Sequence, residues 1–125
     1  MTIEEQLYER FQDFICKNDS PYFLYIHDAE GNFTYLSDNV TELLGFTSEE
    51  FQTSYITNLT ANPINKDVIK YTHRALRGEE QAPYQVEVYN KDYIPHILYV
   101  CEKPVFNGNE VIAVEGVAKL LKANA

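Results

Sequence analysis

The sequence predicts an α+β domain in which a five-stranded antiparallel sheet carries short helices on one face and an amphipathic helix lies at the N-terminus. Three observations support this. Two strand-like runs near the N-terminus and three near the C-terminus are aromatic, alternating or mostly apolar. The chain between them holds short segments with helix-capping residues and glycine stops. The 125 residues, 45% of them hydrophobic, are enough for one domain with a buried core.

Residues 2–18 form the predicted N-terminal helix. Thr2 and Glu5 have the spacing of a capping box, and apolar residues recur at helical spacing. A narrow apolar stripe of this kind either packs on the chain's own sheet or pairs with a second copy of the chain. Our hypothesis is a homodimer in which the sheet of the second subunit contacts Leu7, Phe11 and Phe14.

A hairpin and two short helices are expected next. Residues 22–36 combine aromatic residues around a polar turn, which indicates two paired strands. Ser37 is expected to cap a short helix that ends at Gly45. Thr47 and Glu50 have the spacing of a second capping box. Because such short helices cannot form a core alone, we expect them to cover one face of the sheet.

The longest interior helix is predicted to begin at Asn62-Pro63 and to end before Gly78. Its inward face is expected to hold Ile64, Val68, Thr72, Ala75 and, at the edge, Leu76. Its outer face collects Lys66, Lys70, His73, Arg74 and Arg77. This basic stripe is either a solvated helix face or a docking surface. Three strands then close the chain, at residues 84–89, 94–104 and 110–121.

Composition and charge narrow the class of function. The net charge of −9 disfavours a nucleic-acid partner, because a phosphate backbone would be repelled. Cys16 and Cys101 have no metal-ligand spacing, and no motif pairs a nucleophile with a base. We therefore predict no metal site and no catalytic residues. No apolar run approaches the ~18 residues of a membrane span, so we expect no membrane insertion and a cytoplasmic location.

Several segments, in their order and spacing, resemble one known family. These are "DAEGNFTYLSDNVTELLGFTSEEF", the "NP" and "ALRG" that open and close the long helix, and "KPVFNGNEVIAVEGVAK". Over about residues 22–120 the chain resembles the PAS sensor family. We accordingly divide it into an N-terminal helix (1–19), a PAS-like domain (20–121) and a C-terminal tail (122–125).

Two positions depart from the family's pattern. Asp92-Tyr93 stands where the third and fourth strands are usually joined by Asp-Gly. This predicts a different turn, because tyrosine lacks glycine's access to positive φ. Leu120-Leu121-Lys122 replaces the Asp-Ile-Thr that usually follows the last strand. Since that motif resembles the joint to an output helix, conventional signal transmission is called into question.

The resemblance implies a signal-transduction sensor module. Its capped helices would wall an internal pocket for a small ligand or cofactor, and the signal would pass on through dimerisation or partner docking. The expected partners are a second copy of the chain and an effector domain or protein such as a histidine kinase or a diguanylate cyclase. The alternative is a ligand-free interaction domain, and an internal cavity of roughly 300 Å³ or more with polar lining would favour a ligand.

Residues of the pocket wall can be nominated from their phase along helices and strands. They are Leu44, Leu59, Val68, Thr72, Tyr84, Val86, Val114 and Gly116. The missing side chain of Gly116 either lets a ligand approach the sheet or relieves crowding against a neighbouring aromatic residue.

The cofactor stays open between non-covalent flavin and haem, and neither is favoured. The flavin-binding LOV branch carries a cysteine ahead of its long helix, but residues 58–67 hold none, which excludes a covalent flavin photocycle. In haem-binding members a histidine of the long helix ligates the iron, and His73 is the candidate here. Its phase places it about 100° from Thr72, within the basic stripe, and this favours a solvent-facing side chain.

Overall fold

The computed structural model describes residues 1–30, 32–54 and 58–121. The helices are α1 (Ile3–Ile15), α2 (Val40–Leu44), α3 (Ser48–Ser54), a 3-10 helix (Pro63–Asp67) and α4 (Val68–Leu76). The strands are β1 (Tyr22–Asp28), β2 (Phe33–Leu36), β3 (Tyr84–Tyr89), β4 (Pro95–Asn107) and β5 (Glu110–Leu120). The predicted tail, 122–125, lies outside the described residues.

The five strands form one antiparallel sheet in the order β2-β1-β5-β4-β3. The last strand in sequence, β5, therefore lies at the centre of the sheet. Buried side chains of α2, α3 and α4 cover one face, and they include Val40, Leu44, Phe51 and Val68. The predicted α+β architecture is confirmed.

Three of the predicted helix caps are also confirmed. The hydroxyls of Thr2 and Thr47 accept the backbone N–H groups of Glu5 and Glu50, both at 3.1 Å. The two glutamate side chains accept the backbone N–H groups of the two threonines in return. Gly45 ends α2 in the left-handed conformation, with φ +84°.

Helix α1 packs on the opposite face of the same sheet. Its apolar stripe is buried there with Leu24 of β1 and Val117 of β5, and the stripe comprises Leu7, Phe11 and Phe14. The residues predicted for a dimer interface are thus buried within the chain. A dimer that used them would have to exchange α1 between the sheets of two subunits, and such a dimer stays a prediction.

Cationic side chains of the sheet hold the C-terminal half of α1. Lys103 donates from Nζ to the Arg10 carbonyl at 3.0 Å, and Lys119 donates to the Phe14 carbonyl. Lys119 is buried between helix and sheet, and this burial lowers its pKa. Arg10 in turn pairs with Glu115. Because the last carbonyls of a helix carry partial negative charge, Lys119 stabilises the C-terminal end of α1. Lys103 and the Arg10–Glu115 pair attach the middle of the helix to the sheet.

The predicted long helix is divided in two. Asn62 caps it as expected, since its side chain accepts the Ile64 N–H at 3.0 Å, but the first turn is a 3-10 helix and α4 begins only at Val68. A 3-10 helix turns by about 120° per residue instead of about 100°. The prediction that Ile64 faces inward is therefore wrong: it is 37% exposed, whereas Val68 and Ala75 are buried.

Ser37 does not cap α2, so that prediction is wrong. Its Oγ accepts the Leu24 N–H at 2.8 Å and donates to Asn39 Oδ1 at 2.6 Å. Asn39 occupies the N-cap position, and its amide donates to the Tyr22 carbonyl. The two side chains therefore tie α2 to β1.

The turn between β3 and β4 keeps a residue with positive φ although it has no glycine. Tyr93 has φ +60° and is 82% exposed. The side chain of Asn90 accepts the N–H groups of Asp92 and Ile94, both at 2.9 Å. These hydrogen bonds hold Tyr93 in the left-handed region. The reason given for a different turn, that tyrosine lacks access to positive φ, therefore does not apply here, and the different turn itself stays a prediction.

Candidate functional site

A cavity of about 250 Å³ lies between the helical layer and the sheet. Residues of β1, β3, β4 and β5 line it on the sheet side, and residues of α3 and α4 line it on the helix side. Most of its wall is apolar or aromatic, including Phe23, Phe33, Phe51, Val86 and Leu98. Three lining residues, Ala29, Glu30 and His73, are exposed, so the cavity opens between the β1–β2 turn and α4.

Glu102 forms a buried polar end of this cavity. It is only 6% exposed, although it is a carboxylate. Its Oε2 accepts the Tyr25 hydroxyl at 2.5 Å, and its Oε1 accepts the Tyr84 hydroxyl at 2.8 Å. Buried carboxylates are costly unless they are hydrogen-bonded. The two tyrosines therefore make it possible for a charged group to sit in the core.

His27 stands beside this carboxylate without bonding to it directly. Its Nδ1 lies 2.9 Å from the Asp28 carbonyl, and its Nε2 lies 3.9 Å from Glu102 Oε2. A carbonyl oxygen can only accept, so we assign the Nδ1 hydrogen to this bond. Nε2 is then an acceptor that faces the carboxylate when the ring is neutral, and it pairs with the carboxylate as a cation when the ring is protonated.

Gly116 makes the contact between Tyr25 and Glu102 possible. Its strand, β5, lies between β1 and β4, and Gly116 pairs with Tyr25 on one side and with Glu102 on the other. A Cβ at this position would lie 2.3 Å from the Tyr25 ring. The tyrosine therefore reaches across the central strand through the space that the missing side chain leaves.

Five of the eight residues predicted for the pocket line the cavity, namely Leu59, Val68, Thr72, Tyr84 and Val86. The other three lie elsewhere in the described structure. Leu44 is buried in the helical layer, Val114 is fully buried in β5, and Gly116 is covered by the Tyr25 ring. Gly116 was expected either to let a ligand approach the sheet or to relieve crowding against an aromatic residue. The structure supports the second interpretation, because the Tyr25 ring fills the space beside it.

Sequence reasoning missed the polar end of the cavity. On β1, Tyr25 and His27 are two residues apart and point to the same face of the sheet. On β4, Leu98, Val100 and Glu102 are likewise spaced by two residues and point to that face. Successive residues of a strand point to opposite faces, so the sequence alone could have predicted that Glu102 points inward with Leu98 and Val100. A glutamate in phase with two inward aliphatic residues is the signal that indicates a buried carboxylate.

At about 250 Å³ the cavity is smaller than a haem or flavin site, so either group would require the helical layer to move away from the sheet. Sites for drug-sized ligands occupy roughly 300–1,000 Å³, and both groups are at least drug-sized. His73 is exposed, as its helical phase predicts, but it also lines the cavity, which the phase does not predict.

The two cysteines and the other ligand-type residues form no further site in the part of the chain that the structure describes. Cys16 is exposed after α1, and Cys101 packs beneath α1 on the outer face of the sheet, where burial raises the pKa of its thiol. No group of three His, Cys, Asp or Glu residues gathers there to hold a metal ion. Among the same residues, no helix has the length and hydrophobicity to cross a membrane.

The chain is similar in structure to sensor domains from several signalling proteins. A domain described as that of a light- and redox-sensing histidine kinase from Haloarcula marismortui has a TM-score of 0.67 at 15% identity, over 91% of this chain and 99% of that one. The N-terminal domain of a diguanylate cyclase with a PAS/PAC sensor from Marinobacter aquaeolei has a TM-score of 0.66 at 16% identity, over 78% and 93%.

A third similar structure is longer than this chain. The blue-light-activated histidine kinase of Erythrobacter litoralis EL346 has a TM-score of 0.67 at 13% identity, and the match covers 84% of this chain but 34% of that protein. No model of a protein family matches the sequence, and no curated protein sequence matches it. At these identities the likeness concerns the fold, and the predicted resemblance is confirmed at that level: the chain has the PAS fold.

Proposed function

We propose that this PAS-fold domain is a signal-transduction sensor module that binds a small ligand between its helical layer and its sheet. One observation carries the proposal, an internal volume of about 250 Å³ that joins an apolar wall to a buried carboxylate. Protein interiors are close-packed, and voids larger than a water molecule are few. The volume is below the roughly 300 Å³ that we expected for a ligand site, at which drug-sized sites begin. An apolar cavity of about 150 Å³ holds benzene, so this cavity suits a fragment-sized molecule.

The sheet offers a route from the ligand to α1. On β5, Ala118 lines the cavity, whereas its neighbours Val117 and Lys119 contact α1 on the other face. On β4, Glu102 lines the cavity and Lys103 binds α1. A ligand that shifts these strands therefore changes the surface on which α1 lies. It can shift the equilibrium only by the difference between its affinities for the two states.

Helix α1 is the proposed output element, and its partner is a second copy of the chain or an effector protein. If two subunits exchanged helices, each would bury on the partner's sheet the residues that now pack on its own, Leu7, Phe11 and Phe14. The similar domains of histidine kinases and of a diguanylate cyclase support a regulatory role. Enzymatic activity would then belong to an effector of such a kind.

A cavity-filling variant tests the proposal. Fragment-sized compounds of positive, neutral and negative charge are titrated into the wild-type protein and followed by amide NMR. We expect at least one to shift amides of β3 and β4 in a saturable way. Val86→Phe, which fills the cavity, should abolish these shifts, and Ile112→Phe, on an exposed residue outside it, should leave them unchanged.

A second measurement covers ligands that the protein already carries. An absorption spectrum and a native mass spectrum of the purified protein would reveal a bound pigment or a bound mass. If neither shows one and no compound binds, the cavity is not a ligand site. The ligand-free interaction domain would then replace the sensor.

A further inference from the structure

We propose that the cavity recognises a small organic cation, an amine carried on an aromatic or aliphatic body. This inference rests on the proposed function, because it names the chemical class of the ligand for the same cavity. The juxtaposition that points to it is the buried carboxylate of Glu102 with His27 Nε2 3.9 Å from its Oε2, at the polar end of an aromatic cavity. In the bound state His27 is neutral, so these two atoms are both acceptors.

The two acceptors have the spacing that a bridging donor requires. The 3.9 Å between them is too long for a direct hydrogen bond. A nitrogen placed to one side of the line between them can approach both at about 2.8–2.9 Å. An ammonium group carries several N–H donors and no acceptor, so it can satisfy both lone pairs at once. A carbonyl or carboxylate ligand would instead bring a further acceptor to this position.

The charges around the acceptors favour a cation. Glu102 is buried with two neutral hydroxyls as hydrogen-bond donors. Among the described residues that line the cavity, none is lysine or arginine, and His27, the group at ion-pair distance from Glu102, is neutral in the bound state described above. At the mouth stands another carboxylate, Glu30, and the chain carries a net charge of −9. The electrostatic potential therefore attracts a cation both at the mouth of the cavity and at its binding position beside Glu102.

Aromatic rings around the acceptors suit the same ligand. Tyr25 and Tyr84 hold the carboxylate, and Phe23, Phe33 and Phe51 continue the wall away from it. The faces of aromatic rings attract cations, and their area buries an apolar body. The small volume restricts that body to about one ring or a short alkyl group.

A series of three compounds with one body tests the inference on the unmodified protein. Phenethylamine, phenethyl alcohol and phenylacetate are titrated at neutral pH, and dissociation constants are taken from amide shifts of cavity residues. We expect the amine to bind at least about tenfold more tightly than the alcohol, and phenylacetate more weakly than either. Equal or tighter binding of the alcohol, or a preference for phenylacetate, would overturn the inference while leaving the proposed function intact.

Glu102→Gln then asks whether the carboxylate carries the preference. This variant removes the charge and keeps the shape, so we expect it to remove the difference between the amine and the alcohol. Glu110→Gln, the same change at an exposed end of β5, should preserve that difference. If Glu102→Gln does not fold, the wild-type series decides alone. If none of the three compounds binds, the inference fails, and the wider set of fragments together with the spectra decides the proposed function.

Discussion

The Tyr25 hydroxyl donates to Glu102 across the central strand of the sheet, over a distance of 2.5 Å. The two residues belong to β1 and β4, which are not neighbours, because β5 lies between them. Gly116 of β5 pairs with both, and the tyrosine ring lies where its side chain would project. One glycine on the central strand therefore determines where the polar end of the cavity forms.

Gly116→Ala should destabilise the protein and displace the tyrosine. The new Cβ would lie 2.3 Å from Tyr25 Cζ, so the ring has to move and its bond to Glu102 is lost. We expect the free energy of unfolding to fall by about 1–3 kcal/mol, measured by urea denaturation. In a Tyr25→Ala background the same change should cost much less, because the clash is absent. Equal costs in both backgrounds would contradict this explanation.

Tyr84→Phe should weaken the polar end without disturbing the packing around it. The ring stacks on Tyr71 with 4.6 Å between centroids, and this contact survives the substitution. The lost group is the hydroxyl that donates to Glu102 at 2.8 Å. Hydrogen bonds to charged groups are worth about 1.5–3 kcal/mol, so we expect a loss of that order in the unfolding free energy. Tyr93→Phe, on an exposed residue, is the control and should change little.

Leu7→Ala tests how α1 is held. Leu7 is 1% exposed within the chain, and truncation should lower the unfolding free energy by about 2–5 kcal/mol. Ile3→Ala on the exposed part of the same helix should have a small effect.

If α1 packs on its own sheet, the midpoint of unfolding does not depend on protein concentration. A midpoint that rises with concentration would instead indicate a dimer, such as one with exchanged helices.

The Asp28 carboxylate, at the turn after β1, should make the free energy of unfolding of the protein depend on pH. Its carboxylate accepts the backbone N–H groups of Asn32 at 2.9 Å and Glu30 at 3.0 Å, and these bonds lower its pKa below the usual 3.8. A carboxylate with a lowered folded pKa contributes stability above its unfolded pKa and loses it as the pH falls through the folded one. Asp28→Asn should therefore be destabilising near neutral pH, and the difference from wild type should shrink in acid.

The measurement for Asp28 is the urea midpoint of both proteins across the acid range. Asp92→Asn, which changes the formal charge equally, serves as the control for general charge effects. A difference between wild type and Asp28→Asn that stays constant down to the lowest pH would show that the carboxylate charge contributes nothing at this turn.

Tyr93→Asn should stabilise the protein. The residue has φ +60°, a conformation that costs most residues roughly 1–2 kcal/mol but that asparagine tolerates. Because the side chain is 82% exposed, little packing is lost, and we expect a gain of about 1 kcal/mol and a higher Tm by calorimetry. Tyr93→Phe keeps the strain and should leave the Tm unchanged. A lower Tm for the asparagine variant would mean that the ring contact with Tyr89 outweighs the strain.

Local interactions were the predictable part of the fold. Helix caps such as Thr2 with Glu5 and Thr47 with Glu50 lie three residues apart, so their pattern is visible in the sequence. The 3-10 turn after Asn62 could not be predicted from the sequence. The choice between 3-10 and α geometry depends on small energies that tertiary contacts can override. The exposure of Ile64 follows from that choice.

The sequence by itself determined the α+β class, the strands and the inward face of β3, since periodicity and capping act over a few residues. Five of its eight pocket candidates line the cavity, because inward phase is a local property, and their role in ligand binding stays a prediction. Only the tertiary structure decided that β5 separates β1 from β4, and thus that Tyr25 meets Glu102 over Gly116. Tyr25 and Glu102, which share this hydrogen bond, are 77 positions apart in the sequence. Contacts of such range depend on strand order and register, which no local pattern encodes.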